Sequence, residues 1–414
     1  MAQVENDLFI AGVSATRFGK RPEDSVKALT AEAVGEALRD AGCDLASVEA
    51  AWFSNTRQPI LEGQNTIRGQ AALRPLGLSG VPIVNVENAC ASGSSALRQA
   101  MSYLRAGEGD VALVVGAEKM FFPDRAERNA AAFLRGTDIY DLDNTKAYIR
   151  SLGGDADDTT NGDRSIFMDI YAAIARLHMD RFGTTQGDIA RVAAKNHQAS
   201  QHNAKAQYRQ AMSVEEVLAD KPITFPFTRA MCAPISDGAA AAVVCTARGL
   251  ARLGGARARA VRIRACVLRS GTDHAAGDYH LAAGRLTADA AYAAAGVDPK
   301  DVDLAEVHDA SSFAEIIQIE NLRLAERGDV GGRLMRGDFA IGGATPVNTS
   351  GGLVSKGHPV GATGIAQLYE LIVQLRGEAG ARQVEGAQIA IAENGGGYLR
   401  GEEAACVVTI LEKG

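Results

Sequence analysis

The sequence is poor in aromatic residues, and it lacks the signatures of several other protein classes. Phe, Trp and Tyr make up 5% of the 414 residues, so no aromatic-lined pocket can be drawn from them. The net charge is −7 with both signs spread along the chain, which excludes a basic nucleic-acid-binding block and an acidic disordered tail. No apolar run approaches the roughly 20 residues of a membrane span, and the start of the chain lacks the basic flank of a signal peptide. We therefore expect a globular protein with neither nucleic acid nor a membrane as its partner.

No two cysteines form a CxxC pair, which excludes a zinc knuckle and a thioredoxin-type site. Free thiols in a reducing compartment are the simplest interpretation, so we expect a cytoplasmic protein with no bound metal. Most of the cysteines are expected to be small buried hydrophobic residues, and Cys245 and Cys406 lie in apolar runs typical of strands. Cys90 differs, because it lies between a short β-type run and a helix-like run in "VNVENACASGSSAL".

The chain repeats part of its own pattern. Residues 36–54 (EALRDAGCDLASVEAAWFS) resemble residues 290–308 (AAYAAAGVDPKDVDLAEVH), with Gly42 aligned to Gly296. Each copy predicts a helix, a glycine C-cap, a short turn and a strand. In this alignment Ser54 falls opposite His308.

A second pair of segments has the same order of elements. Residues 81–118 predict a strand, a loop with Cys90, a helix and a strand, and residues 345–397 repeat that plan with His358 in the loop. We therefore predict an α/β protein with two similar βαβ-rich halves, 1–255 and 256–414, each with a mostly parallel sheet covered by helices.

Residues 118–228 have no counterpart in the second half and are predicted to form an inserted domain. Within this insertion, residues 138–165 are polar and glycine-bearing and predict a loop, whereas 165–183 and 187–204 predict helices. Long insertions in compact folds often serve as lids or substrate-binding parts.

Cys90 and His358 are the first candidates for chemistry. A thiol at the start of a helix lies near the positive end of the helix dipole, which lowers its pKa and favours the thiolate. The alternative is a buried structural cysteine. His358 lies in the glycine-flanked segment "SKGHPVGATG", where an imidazole can accept the proton of a thiol or donate to an oxyanion. The alternative is a loop histidine bonded to the backbone.

Two further segments carry candidate groups. His308 ends a predicted strand in "AEVHDASSFAE", and either Asp309 or Ser311 is expected to cap the helix that follows. In "AENGGGYLRG" three glycines follow a strand and offer backbone N–H groups to an anion, with Glu393 beside them as a possible acid or base. The alternative to that site is a plain hairpin turn. The other five histidines are expected to be surface or structural residues: His178, His197, His202, His274 and His280.

Taken together, these segments resemble the thiolase superfamily over nearly the whole chain. The resemblance rests on the Cys90 loop, the insertion, "SDGAAAA", the His308 loop, "GHPVGATG" and the last glycine-rich segment. The segments "VHDASSFAE", "KNHQAS" and "SDGAAAAVV" are most similar to sterol-carrier-protein-type thiolases and their bacterial relatives. The resemblance implies a five-layered αβαβα fold with an inserted loop domain, a homodimer, and acyl-CoA and CoA as substrates with no permanently bound cofactor.

The resemblance also implies roles for individual residues. Cys90 is expected to be the nucleophile, and His358 to activate it and to help bind the thioester oxygen. His308 is expected to hold a water or an enolate oxygen. The N–H groups of Cys90 and Gly395 are expected to form a second oxyanion hole. Thiolases usually carry a second cysteine in a C-x-G-x-G segment, and here Glu393 occupies its place. A buried carboxylate near a thiolate is expected to have a raised pKa and to replace that cysteine as the acid or base. The alternative is a loop glutamate that points to solvent or pairs with Arg400.

The leading hypothesis is an acyltransferase that cleaves a 3-ketoacyl-CoA with CoA or forms one by Claisen condensation. A decarboxylating ketosynthase, a partner-dependent carbon–carbon lyase and a non-catalytic CoA-thioester-binding subunit are the alternatives. Some bacterial relatives work with a small partner that carries an OB-fold and a zinc ribbon. This chain contains neither element, so such a partner would be a separate protein.

Overall fold

The computed structural model describes residues 7–154 and 164–414. Eleven strands lie in this part of the chain: β1 (Leu8–Ala15), β2 (Ala50–Ser54), β3 (Ile83–Val86), β4 (Val111–Glu118), β5 (Pro222–Thr224), β6 (Phe227–Thr228), β7 (Gly238–Thr246), β8 (Val261–Ser270), β9 (Leu304–Glu306), β10 (Ile389–Leu399) and β11 (Glu402–Glu412). The same residues form fourteen α-helices: α1 (Val26–Ala41), α2 (Gln58–Leu61), α3 (Arg68–Leu73), α4 (Ser92–Arg105), α5 (Ala126–Leu134), α6 (Leu142–Ser151), α7 (Ile166–Phe182), α8 (Gln186–Ser200), α9 (Val214–Ala219), α10 (Ala247–Arg252), α11 (Ala283–Ala295), α12 (Ser312–Asn321), α13 (Val330–Arg336) and α14 (Thr363–Leu375).

Nine of the strands form one mixed sheet in the order β3-β2-β4-β7-β1-β8-β11-β10-β9. The first five strands in this order belong to the first half of the chain, and the last four belong to the second half. The two halves are joined where β1 pairs with β8 in the antiparallel direction. Among the strands of the described residues, only β2 with β3, β2 with β4, and β9 with β10 pair in parallel. The prediction of mostly parallel sheets is therefore wrong, because β1, β7, β8 and β11 bring antiparallel neighbours into the centre.

Three apolar clusters separate the layers of the fold. The central cluster is built from α4, α14 and the strand faces turned toward them. A second cluster packs α1 and α3 against the outer faces of β2, β4 and β7. The third packs α8, α11 and α12 against β8, β10 and β11. Helices, strands, helices, strands and helices thus follow one another, which confirms the predicted αβαβα layering.

The internal repeat is visible in the folded chain. Helices α1 and α11 both end at a glycine in the left-handed conformation, Gly42 with φ +64° and Gly296 with φ +65°. A side chain rarely adopts this conformation, so glycine ends the helix at both sites. Strands β2 and β9 follow, as predicted. The division at residues 255 and 256 stays a prediction.

The insertion departs from its prediction at one helix. Residues 142–151, predicted as loop, form α6, because Ile149 is buried against Ile166 and Ile170 of α7. Helices α7 and α8 occur as predicted, whereas residues 155–163 of the predicted loop lie outside the described residues.

Two other segments differ from their predictions. Residues 345–348 make only a single bridge, from Val347 to Ala305, and not a full strand. The glycines predicted in a loop after a strand, Gly395 to Gly397, lie inside β10, because this strand continues to Leu399 and pairs with β11. Among the described residues, no helix is both long and apolar enough to cross a membrane.

Candidate active site

The turn before α4 presents the Cys90 thiol. Ala89 has φ +47°, a left-handed conformation that is strained for a residue with a side chain. Ser92 closes the turn, since its Oγ donates to the Ala89 carbonyl at 2.6 Å and accepts from the Asn88 N–H at 2.8 Å. Cys90 is left half-buried between the turn and the helix.

The glycines of β10 pack directly against this turn. A Cβ atom on Gly396 would lie 2.3 Å from the Asn88 carbonyl oxygen and 2.5 Å from the Ala91 nitrogen. Only glycine therefore allows the strand to approach so closely. Gly395 pairs with Cys406 of β11. Gly396 therefore makes the close contact with the turn that carries Cys90, and the sequence did not indicate this contact.

His358 lies against Cys90, and its ring is held by Thr363. The Nε2 atom is 3.3 Å from the Cys90 Sγ, and the Nδ1 atom is 2.7 Å from the Thr363 Oγ1. Thr363 donates its hydroxyl proton to the Pro359 carbonyl at 3.0 Å, so it accepts from Nδ1–H. The Nε2 lone pair then faces the thiol, which is the tautomer a base requires. The alternative of a histidine bonded only to the backbone is wrong.

Burial favours the neutral forms of Cys90 and His358. Desolvation raises the pKa of Cys90 to about 12, despite the nearby charge of Arg57. Desolvation and the neighbouring His308 hold the pKa of His358 well below its usual value. The direction of this shift is opposite to the lowered pKa predicted from the helix start, because burial outweighs the helix dipole. The neutral thiol and the His358 Nε2 are within hydrogen-bond distance, so a proton could pass directly from one to the other.

His308 is a buried imidazole without a hydrogen-bonding partner. It is 3% exposed, and neither ring nitrogen has a partner in the described part of the chain. Its ring centre lies 5.2 Å from that of His358. Burial lowers the pKa of His308 to about 4, so the ring is neutral near pH 7. An unpaired buried donor of this kind calls for an oxygen atom of a ligand or a water.

Asp309 fixes the His308 segment to the His358 segment. Its Oδ1 accepts from the Leu353 N–H at 2.6 Å, and its Oδ2 accepts from the Asn196 Nδ2 at 2.9 Å. Ser311 caps α12 by accepting from the Ala314 N–H, as one of the two predicted caps. Asp309 therefore holds the two histidine loops together and does not cap the helix.

Glu393 is fully buried, which makes the alternative of a solvent-facing glutamate wrong. Its Oε2 accepts from the His308 backbone N–H at 3.1 Å, and its Oε1 lies 3.5 Å from the Cys406 Sγ. Arg400 does not pair with it but with Asp273. Burial raises the pKa of Glu393 to about 8, which agrees with the expected direction, although desolvation and not a thiolate is the main cause.

Three further residues lie near the site, and no sequence motif indicates them. Glu403 of β11 and Tyr171 of α7 lie close enough to Cys90 for electrostatic interaction with it. Arg57 stacks on the Phe133 ring, 4.8 Å from its centre, and Phe133 packs in the same apolar cluster as Cys90. No motif marks these residues, because each comes from a separate element that only folding brings to the thiol.

The remaining histidines have structural or peripheral roles, as predicted. His178 and His197 are buried and bonded to side chains, including Glu320 for the first and Ser355 for the second. His274 pairs with Glu402 at 2.6 Å.

Two groups of side chains have the composition and spacing of a metal site. The donor atoms of Cys90, His308 and His358 lie within 4.8 Å of one another, and so do those of Glu393, Glu403 and Cys406. In the first group the Cys90 thiol and His358 are already hydrogen-bonded, which suits proton transfer without an ion.

The fold and this site define an α/β enzyme with a paired thiol and imidazole, and comparison with known proteins identifies its family. A model of the thiolase N-terminal domain matches residues 8–224, and a thiolase C-terminal domain-like model matches residues 268–412. The acetyl-CoA acetyltransferase of Methanothermobacter thermautotrophicus is 36% identical, over 94% of this chain and 96% of that protein. Sterol carrier protein 2 of Oryctolagus cuniculus is 33% identical, over 98% of this chain and 72% of that protein. The chain belongs to the thiolase family of acyltransferases, which confirms the predicted family and enzyme class.

Solved structures share the fold across their full length. The structure titled Ltp2-ChsH2(DUF35) aldolase superposes with a TM-score of 0.78 at 22% identity, covering 99% of this chain and 98% of that one. Human mitochondrial 3-ketoacyl-CoA thiolase in complex with CoA superposes with a TM-score of 0.71 at 15% identity, covering 99% of both chains.

Proposed function

We propose that this enzyme transfers acyl groups between CoA-thioesters through an acyl-enzyme on Cys90. In one direction it cleaves a 3-ketoacyl-CoA with free CoA, and in the other it condenses two acyl-CoA molecules. The single observation that carries the proposal is the 3.3 Å contact between the Cys90 Sγ and the correctly oriented His358 Nε2. The name of the archaeal relative, an acetyl-CoA acetyltransferase, supports the same substrate class.

Acylation of Cys90 begins from a neutral pair. As the Sγ attacks the thioester carbonyl, His358 accepts the thiol proton, so no standing thiolate has to be maintained in the buried site. The imidazolium then donates this proton to the departing CoA thiolate. The predicted oxyanion hole of the Cys90 and Gly395 N–H groups would hold the carbonyl oxygen and stays a prediction.

The carbon–carbon step needs a second oxygen site and a second base. His308 has two free ring nitrogens beside the thiol, so it is suited to donate to the oxygen of an enolate. Glu393 is the proposed base for the α-carbon proton, in place of the usual cysteine. Its raised pKa gives it a proton affinity suited to that exchange near neutral pH.

The proposal is tested by incubating the enzyme with acetyl-CoA and measuring the intact mass. An acetyl adduct on Cys90, released as acetyl-CoA by added CoA, is the expected result. Absence of the adduct in the parent enzyme, or its persistence in Cys90→Ala, contradicts the proposal.

A partner-dependent carbon–carbon lyase is the second candidate. One ground for this candidate is that Glu393 replaces the usual second cysteine. The other is that one structure of this fold is titled an aldolase and its title names a second component. A lyase would cleave a 3-hydroxyacyl-CoA without free CoA and would keep this activity in Cys90→Ala. A separate OB-fold and zinc-ribbon protein is the partner to add in that assay.

Two features of the structure support a cytoplasmic location and a homodimer for the proposed enzyme. All six cysteines are free, which supports a reducing compartment such as the cytoplasm. Strand β3 lies at one edge of the sheet with a neighbour on one side only, which supports a homodimer.

A further inference from the structure

We propose that Glu403 and Glu393 share one proton, and that this carboxyl pair, not Glu393 alone, takes and returns the proton at the substrate α-carbon. The inference rests on the proposed acyltransferase function and names a further acid/base residue for it. Glu403 belongs to no motif, and it reaches the site from the β11 side of the last hairpin.

The first observation is the placement of the two carboxylates. Oxygen atoms of Glu393 and Glu403 and the Cys406 sulfur lie within 4.8 Å of one another. A Cβ atom on Gly395 would lie 2.1 Å from the Glu403 Oε1, so the missing side chain at position 395 provides the space for Glu403. Gln318 of α12 holds this carboxylate by donating to Oε1 at 3.0 Å.

The second observation is the absence of a neutralising charge. In residues 7–154 and 164–414, no lysine, arginine or histidine forms an ion pair with Glu393 or Glu403. Glu393 is buried and Glu403 is half-buried. Two adjacent carboxylates of this kind, without a cation, cannot both be ionised at low cost, so they retain a proton between them. Burial and the neighbouring Glu393 raise the pKa of Glu403 well above its usual value. The other titratable residues around the pair are Cys90, Cys406, Tyr171, His308 and Glu402.

The third observation is the position of the pair beside the reacting groups. Glu393 bonds to the backbone N–H of His308, whose buried ring carries two unpartnered nitrogens next to the Cys90 thiol. Tyr171 is also within electrostatic reach of both glutamates and of Cys90. The pair therefore borders the space in which an enolate oxygen would meet His308.

In the condensation direction the carboxyl pair acts first as a base. The ionised carboxylate of the pair takes the proton as the α-C–H bond of the acyl-CoA breaks. The electron pair of that bond forms the enolate. The enolate carbon attacks the acyl-cysteine carbonyl, the C–S bond breaks, and the Cys90 thiolate receives the proton back from the pair. Cleavage of a 3-ketoacyl-CoA is the same sequence in reverse.

The test is a double-variant cycle with Glu393→Gln, Glu403→Gln and both together. Exchange of α-hydrogen for deuterium in acetyl-CoA is followed by mass spectrometry, together with acetylation of Cys90. If the pair acts as one unit, each single variant loses exchange on the order of a hundredfold, and the double variant loses no more than either single. Glu412→Gln, on the same strand but paired with Arg262 and Arg264, is the matched control and should keep the parent rate.

An infrared titration gives a readout that a purely structural role would not move. The difference spectrum between the parent enzyme and the double variant should contain the carbonyl band of a protonated carboxylic acid at neutral pH, while the contribution of other buried carboxyls such as Asp309 cancels. Parent-like exchange in Glu403→Gln with loss in Glu393→Gln would overturn the pair and leave the proposed function intact. Failure of Cys90 to take an acetyl group would instead overturn the proposed function itself.

Discussion

The Nε2 atom of His358 and the Sγ atom of Cys90 lie 3.3 Å apart, although 268 residues of chain separate them. Both groups are neutral, since burial raises the pKa of the thiol and lowers that of the imidazole. In the proposed mechanism the thiol therefore becomes nucleophilic as its proton passes from sulfur to nitrogen during the attack.

Cys90→Ala should abolish acyl transfer, and Cys90→Ser should be nearly as poor, because a hydroxyl loses its proton far less readily. Iodoacetamide should inactivate the parent enzyme by labelling Cys90, as peptide mapping would show. Cys43 is also half-buried, so Cys43→Ser is the matched control and should be inactivated at the parent rate. Substantial thiolysis by Cys90→Ala would exclude the acyl-enzyme.

The two histidines should affect different steps. His358→Ala should slow acetylation of Cys90 on the order of a hundredfold or more, because the thiol loses its base. His308→Ala should spare acetylation more and should slow the carbon–carbon step by a similar factor, because the enolate oxygen loses its donor. Rapid-quench mass spectrometry separates the two steps, and His280→Ala, an exposed position, serves as the control. Small and equal effects on both steps would contradict the assignment.

Glu393 should make the enzyme less stable as the pH rises. Its pKa is raised from 4.5 to about 8 in the folded protein, so between these values the folded state holds a proton that the unfolded state has released. The free energy of unfolding therefore falls with increasing pH in this window, and each unit of pKa difference is worth about 1.4 kcal/mol. Glu393→Gln should match the parent near the lower value and be more stable than the parent near the upper one. Urea unfolding at both pH values measures this, and an equal pH dependence in the two proteins would contradict it.

The dimer prediction is tested at the exposed edge of β3. Val84 is 37% exposed on this strand, which pairs with β2 alone and leads directly into the Cys90 turn. Val84→Lys should weaken a strand-to-strand dimer, lower the mass found by light scattering, and reduce activity as the enzyme is diluted. Met335→Lys adds the same charge at a more exposed apolar residue on α13 and should leave the mass unchanged. A parent enzyme that is an active monomer would contradict the prediction.

Arg57 should influence the thiol through its charge. It acts to lower the pKa of Cys90 against the larger effect of burial, so Arg57→Met should shift the pH dependence of alkylation to higher pH. Arg125 stacks in the same manner on Phe122, 4.4 Å from the ring centre, and Arg125→Met is the control. An unchanged alkylation profile in Arg57→Met would show that its charge does not reach the thiol.

The sequence by itself determined the family, the layered fold, the helix-ending glycines and the identity of the thiol and imidazole. These features depend on local patterns, such as apolar periodicity, a left-handed glycine after a helix, and glycines on both sides of His358. Only the tertiary structure decided the protonation of the site, because the pKa of Cys90 depends on its burial by separate elements and not on its place before a helix. The structure likewise decided that Glu393 has Glu403 as its neighbour, since that contact requires the β10–β11 pairing and the missing side chain at Gly395.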